Sequence, residues 1–281
     1  MSDKKGLGKA SIVLMVLVVL AVATITTGVA HAADQASVNL GTAANFGVLA
    51  ATTVTNTGVT TVHGDLGLYP GSSVTGFPPG TVTGTQHIND TVAALAQADL
   101  TTAYNNLAGR TGATNVSGNI GGTTKTPGLY KSTSSLEISS GDLTLDAQGN
   151  ASAIFIFQIA STLTTTTDRK VILTNSANAF NVFWQVGSSA TIGTNSTFKG
   201  NILALTSITL NTGASLDGRA LARNGAVTLD TTSVIPEFPA ILILPLFIIA
   251  TLLAVIIYEK RNIVDTRKGY ACQAKVNTQL T

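Results

Sequence analysis

The chain has 281 residues, with 16 Lys and Arg against 14 Asp and Glu, a formal net charge of +2 and only 11% charged residues. Between residues 33 and 235 there are ten acids and eight bases, so the basic excess sits at the two ends and gives no footprint for nucleic acid. The single cysteine, Cys272, lies outside that span, which excludes disulfides and thiol chemistry from it and leaves packing and backbone hydrogen bonds to hold it together.

At the start of the chain, Lys4, Lys5 and Lys9 precede the apolar run SIVLMVLVVLAVATI, which is followed by Ala30-His31-Ala32. A charged start, an apolar centre and a small-x-small site form a secretory signal peptide over residues 1–32, with an uncleaved anchor helix as the alternative. An exported body over residues 33–235 follows, enough for one sizeable domain. Thr supplies 36 of its 203 residues, in short alternating runs separated by Gly and Asn, as in β-rich chains. One segment reads as helix. In NDTVAALAQADLTTAYNNLAGR, near residues 90–108, Val92, Ala96, Leu100, Ala103 and Leu107 share a face, Asn89 or Asp90 caps the start and Gly109 the end.

Further along, SATIGTNSTFKG and SITLNTGASLDG repeat at a spacing of eighteen. The repeat aligns Ala190 with Ile208, Thr191 with Thr209, Thr194 with Thr212, Thr197 with Ser215, Phe198 with Leu216 and Leu203 with Leu221. Val227-Thr228-Leu229 follows nineteen residues after Ile208-Thr209-Leu210, and upstream a spacing of twenty-seven superposes Gln158 on Gln185. Repeats that cannot bury a face alone stack into solenoids. The expected fold is therefore mainly β, with Ile, Leu, Val and Phe inward, Thr outward and the helix lying on one side. An antiparallel sandwich is the alternative, but its strands need not repeat.

After the body comes Pro236-Glu237-Phe238-Pro239, a short linker that resembles the PEF-type C-terminal sorting signals of archaeal surface proteins. Residues 240–258 are uncharged and apolar; nineteen helical residues span roughly 28 Å, enough for a bilayer core. Glu259, Lys260 and Arg261 follow, which puts the tail of residues 259–281 on the cytoplasmic side. Twenty residues beyond that cluster favour a retained transmembrane anchor, hence a protein at the cell surface with its body outside.

The body also resembles the microbial ice-binding proteins, a family of discontinuous right-handed β-solenoids with one long helix alongside. The blocks that carry the resemblance are NLGTAANFGVLAATTVTNTGVTTVHGDLGLYPGSSVTGFPPGTV, ADLTTAYNNLAGR, TPGLYKSTSSLEISSGDLTLDAQGNASAIFIFQI and VFWQVGSSATIGTNSTFKGNILALTSITLNTGASLDGRALARNGAVTLDT. The resemblance implies three sheet faces and a flat face that binds ice. It also implies a Thr-(Ala/Gly)-x-(Thr/Asn) contact motif, which Thr212-Gly213-Ala214-Ser215 and Thr194-Asn195-Ser196-Thr197 meet loosely.

Physical chemistry supports such a face. Outward residues on neighbouring coils sit about 4.8 Å apart, and those two apart along a strand roughly 6.5–7 Å, a grid close to oxygen rows on ice planes. Two Thr columns are candidates. The favoured one is Thr194, Thr212 and Thr231, with Thr197 and Ser215 beside it and Thr53, Thr55 and Thr57 of the first coil extending the face. The other is Thr191, Thr209 and Thr228. The plain reading of any one Thr is a good exposed strand residue.

Other function classes find less support. Polysaccharide cleavage needs carboxylates gathered in a cleft, whereas Asp65, Asp142, Asp146, Asp168, Asp217 and Asp230 are scattered. His63 and His87 stand singly, without metal-ligand spacing. GNIGG and GLG are turns rather than phosphate loops. No catalytic residue, metal, cofactor or small-molecule substrate is expected; the expected partners are ice and the cell membrane. The alternative is a cell-surface adhesin or structural coat module without ice activity.

Overall fold

A computed structural model describes residues 35–236, and within it short strands follow one another around three sides of a coil. The expected signal peptide (1–32), the expected membrane helix (240–258) and the tail 259–281 lie outside the described residues, as does the 236–239 linker beyond Pro236. Among the described residues no helix is long and apolar enough to cross a membrane.

One coil shows the construction. Asn201–Ala204, Ile208–Leu210 and Ser215–Asp217 occupy three successive sides, and Ala220–Ala222 then opens the next coil beside Asn201–Ala204. Every strand pair is parallel, because the rest of each coil serves as the crossover that parallel pairing requires. The coils stack into a nine-stranded sheet and an eight-stranded sheet. The third side is a five-stranded and a three-stranded sheet joined by the Lys170–Thr197 bridge. The expected registers hold on this β-solenoid: Ala190 opposite Ile208, Phe198 opposite Leu216, Leu203 opposite Leu221, and Gln158 opposite Gln185.

The winding is discontinuous. The first coil, Phe46–Ala50, Thr53–Thr57 and Thr61–Val62, docks on the last one, with Val48 opposite Ala220, Val54 opposite Val227 and Val62 opposite Val234. Arg219 secures this junction. It is fully buried, donating from Nε to the Ala44 carbonyl at 2.9 Å and from Nη1 to Asn201 Oδ1 at 2.8 Å. From the second coil the chain enters helix α1, Thr91–Ala108, and re-enters the solenoid at the opposite end of the nine-stranded sheet with Thr114–Asn115. Eighteen residues give α1 a length of about 27 Å, or five to six coil spacings of about 4.8 Å.

Asp90 caps α1 by accepting from Ala93 N, and Gly109 closes it. The buried stripe is Ala93, Ala96, Gln97, Leu100, Ala103, Tyr104 and Leu107. Val92, expected on that face, is instead 42% exposed, because Ala93 takes the place that begins the stripe. Small Ala side chains let α1 approach the sheet closely. There it covers Leu49, Leu129, Ile156, Phe183, Leu203 and Leu221 in a core of its own.

The main core runs inside the coils. Tyr130, Phe157 and Trp184 are opposite one another on successive rungs, and their rings stack at 5.2 and 4.1 Å, with Phe198 against Trp184 at 5.0 Å. Burying one such aromatic contributes about 1.5–3 kcal/mol. Trp184 Nε1 donates to the Lys199 carbonyl at 2.9 Å, so its one polar atom is satisfied.

Candidate functional site

The eight-stranded sheet is built from strands with a buried–exposed–buried alternation. In Ala190-Thr191-Ile192, Ile208-Thr209-Leu210 and Val227-Thr228-Leu229 the flanking residues are buried, and the central Thr is the one turned outward. Apolar neighbours with a β-branched centre suit a pleated, half-buried surface. Pairing without a slip then brings the centres into one row. Thr164 lies opposite Thr191, Thr191 opposite Thr209, Thr209 opposite Thr228, Thr228 opposite Thr55, and Thr55 opposite Thr75. Six threonines thus form one ladder, with Glu137 opposite Thr164 as the next rung and Asn119 beyond it.

The ladder hydroxyls differ from their neighbours. None of the six has a hydrogen-bond partner among the described residues, so all six remain open to water. On three of these coils the hydroxyl two residues earlier is engaged within the protein. Thr162 Oγ1 donates to Ser135 Oγ at 2.8 Å, Ser189 Oγ meets Thr206 Oγ1 at 3.0 Å, and Ser207 Oγ accepts from Ala226 N at 3.2 Å. The strands of this sheet carry only two charged side chains, Glu137 and Asp230.

The column Thr194, Thr212 and Thr231 occupies a corner instead. Thr194 and Thr212 sit in turns between the eight- and five-stranded sheets, each followed by a left-handed residue, Asn195 at φ 56° and Gly213 at φ 71°. Thr231 does not continue their row. It is itself left-handed, at φ 50°, and Asp230 lies opposite Thr57. The cause is a one-residue shortening: four residues separate Leu210 from Ser215, but three separate Leu229 from Ser233, while both flanking registers hold.

At this corner Thr212 Oγ1 donates to Asp230 Oδ2 and Thr231 Oγ1 donates to Asp230 Oδ1 at 3.2 Å. The hydrogen bond from Thr212 is the main influence holding the Asp230 carboxyl below the usual carboxylate range. Thr197 and Ser215 face outward from the five-stranded sheet, opposite each other. Thr53 and Thr55 stand on the eight-stranded sheet, where Thr55 joins the ladder of Thr191, Thr209 and Thr228 rather than the corner, and Thr57 ends that strand beside Asp230.

Thr164 and Thr75 escaped the reading of repeats. The twenty-seven-residue spacing that pairs Gln158 with Gln185 also carries Thr191 back to Thr164, and a twenty-residue spacing carries Thr55 on to Thr75.

The scattered acids pin the backbone. Asp65 accepts from Thr85 N at 2.8 Å, Asp142 from Lys170 N at 2.9 Å, and Asp146 from Gln148 N at 2.8 Å, while Asp217 pairs with Lys199 at 2.6 Å. Among the described residues no three His, Cys, Asp or Glu side chains gather where they could hold a metal ion. What the arrangement offers chemically is a repeated methyl–hydroxyl surface with little charge.

Comparison with known proteins agrees with this architecture. A sequence model of the ice-binding-like family matches residues 48–235. An ice-binding protein of Nostoc sp. (strain HG1) is 55% identical over 205 residues, covering 72% of this chain and 76% of the relative. An ice-binding protein of Flavobacterium frigoris (strain PS1) is 38% identical over 217 residues, covering 71% and 77%. The crystal structure of an ice binding protein from an Antarctic biological consortium superposes with a TM-score of 0.73 at 56% identity, covering 76% of this chain and 97% of that one. The family match spans the solenoid strands from Val48 onward together with the flanking helix, and the chain belongs to the ice-binding-like family.

Proposed function

We propose that this protein adsorbs to ice through the open face of its eight-stranded sheet, and thereby restrains ice growth or recrystallisation or holds its bearer to ice. The observation that carries the reading is the ladder of six in-register threonines whose hydroxyls have no partner among the described residues. Rungs about 4.8 Å apart repeat the methyl and the hydroxyl together. Methyls order water into cages, and the free hydroxyls anchor it. The β-branch keeps χ1 stiff and the stacked coils keep the rungs fixed, so each weak contact costs little ordering on binding.

This reading prefers the ladder to the Thr194–Thr212–Thr231 corner. A corner presents a turn rather than a row, and two of its hydroxyls are already committed to Asp230. The family relatives named as ice-binding proteins support the function, not the choice of face.

Export and tethering belong to the same proposal, resting on residues 1–32, on the apolar run 240–258 and on the Lys260–Arg261 flank. The membrane then holds the solenoid at the cell surface. Slow growth of ice in a solution of the protein tests the function. The protein should enrich in the ice fraction while a control globular protein is excluded; equal exclusion of both overturns the reading and leaves an adhesin or coat role.

A further inference from the structure

Glu137 interrupts the pattern of the face. It is the exposed centre of Leu136–Ile138, between two buried residues, and stands one rung beyond Thr164 in the ladder's own row. Its carboxylate has no hydrogen bond or ion pair among the described residues. The rung after it holds Asn119, whose side chain is spent on the coil end. Its Oδ1 accepts from Gly121 N and Ser139 N, both at 2.9 Å. The methyl–hydroxyl row therefore stops at Thr164, six rungs and about 24 Å from end to end.

We propose that Glu137 sets the boundary of the ice-contacting surface and so limits its length; the inference rests on the ice-binding reading of this face. A carboxylate in a row otherwise made of methyls and hydroxyls keeps a tightly held water shell of its own. Stripping that shell without a compensating partner is expensive, so ordered water at Thr164 ends where the charge begins. Nothing in the fold requires Glu here. The site is outward, exposed and unpartnered, and Thr is the better strand residue. Glu137→Thr therefore extends the ladder to seven threonines in a scaffold that folds as before.

Three variants of the full chain, with Thr209→Tyr as the control for the face itself, test the proposal by thermal hysteresis at equal concentration, with circular dichroism to check folding. Glu137→Thr should raise hysteresis about 1.2–2-fold, since one more rung adds contact at no added ordering cost. Glu137→Gln, which removes charge without restoring the methyl, should raise it less. Thr164→Glu, which moves the charge one rung inward, should lower it. The boundary role is overturned if Glu137→Thr leaves hysteresis unchanged or reduced while Thr209→Tyr abolishes it, and the reading of the face then survives. If Thr209→Tyr retains full activity, the face reading itself fails and the boundary falls with it.

Discussion

Two sides of the same coils meet different fates. On the nine-stranded sheet the outward residues Leu49, Ile156, Phe183, Leu203 and Leu221 are buried, because α1 lies across them. On the eight-stranded sheet the central outward row runs through Thr164, Thr191, Thr209, Thr228, Thr55 and Thr75, with Glu137 at its end, and no element covers it among the described residues. The backbone is the same parallel stack on both sides, so the difference lies wholly in the outward side chain. An apolar row must be covered to leave water. A charged row would be soluble but would hold its own hydration. Threonine stands between these, open to solvent while still presenting methyls in a row.

Breaking the covered side should cost most in stability. Leu100 is fully buried between α1 and the sheet, and Leu100→Ala should destabilise by about 2–5 kcal/mol in denaturant unfolding. A smaller loss is expected from the polar tether beside it. Gln158 Nε2 donates to the carbonyls of Leu107 and Arg110 at 2.7 and 2.9 Å, holding the end of α1. Gln158→Ala removes this side-chain donor from both carbonyls, leaving Leu107 O the longer backbone bond from Arg110 N, and should cost about 1–3 kcal/mol by the same measurement.

The corner beside the open face offers two finer tests. Asp230 has its carboxyl pKa lowered in the folded state, first by Thr212, so its contribution is present above the unfolded value of 3.8 and is lost as pH falls through the lower folded value. Stability curves of the protein and of Asp230→Asn should therefore converge as pH drops below about 3.8 and separate above it; parallel curves throughout would refute the linkage. Thr231, a β-branched residue at φ 50°, is strained where glycine would not be. Thr231→Gly should change stability by no more than about 1 kcal/mol in either direction, because relief of strain offsets the lost hydrogen bond to Asp230 and the freer unfolded chain. Its ice activity should be unchanged, since the residue lies off the ladder.

The fold was largely legible because coils of equal length repeat their inward residues. Ala190 with Ile208 and Leu203 with Leu221 are strand neighbours at the spacing the repeat shows. Legibility failed where coil length changes. One residue fewer at 230–232 put Asp230, not Thr231, at the corner position, and that same step hid which Thr column the first coil extends. Matching Gln158 to Gln185 was possible from sequence, but their work was not. Gln158 holds the end of α1 and Gln185 Nε2 donates to the Tyr104 hydroxyl at 2.8 Å, roles that depend on a helix far away in the chain. Arg219 gave no signal at all: a buried cation at a coil junction becomes visible only once the first coil is seen to dock on the last.

The central claim is that the ladder, not the corner, meets ice. Thermal hysteresis of Thr209→Tyr against Thr212→Tyr tests it most directly, because both sites are outward. Thr209→Tyr should leave stability within about 0.5 kcal/mol, and Thr212→Tyr gives up besides only its exposed hydrogen bond to Asp230, with circular dichroism checking that both variants fold. A tyrosine at 209 stands in the middle of the row and holds its neighbours' methyls off the lattice. The account predicts that Thr209→Tyr loses nearly all hysteresis while Thr212→Tyr keeps most of it. Full activity in Thr209→Tyr, with loss in Thr212→Tyr, would contradict it and assign the contact to the corner.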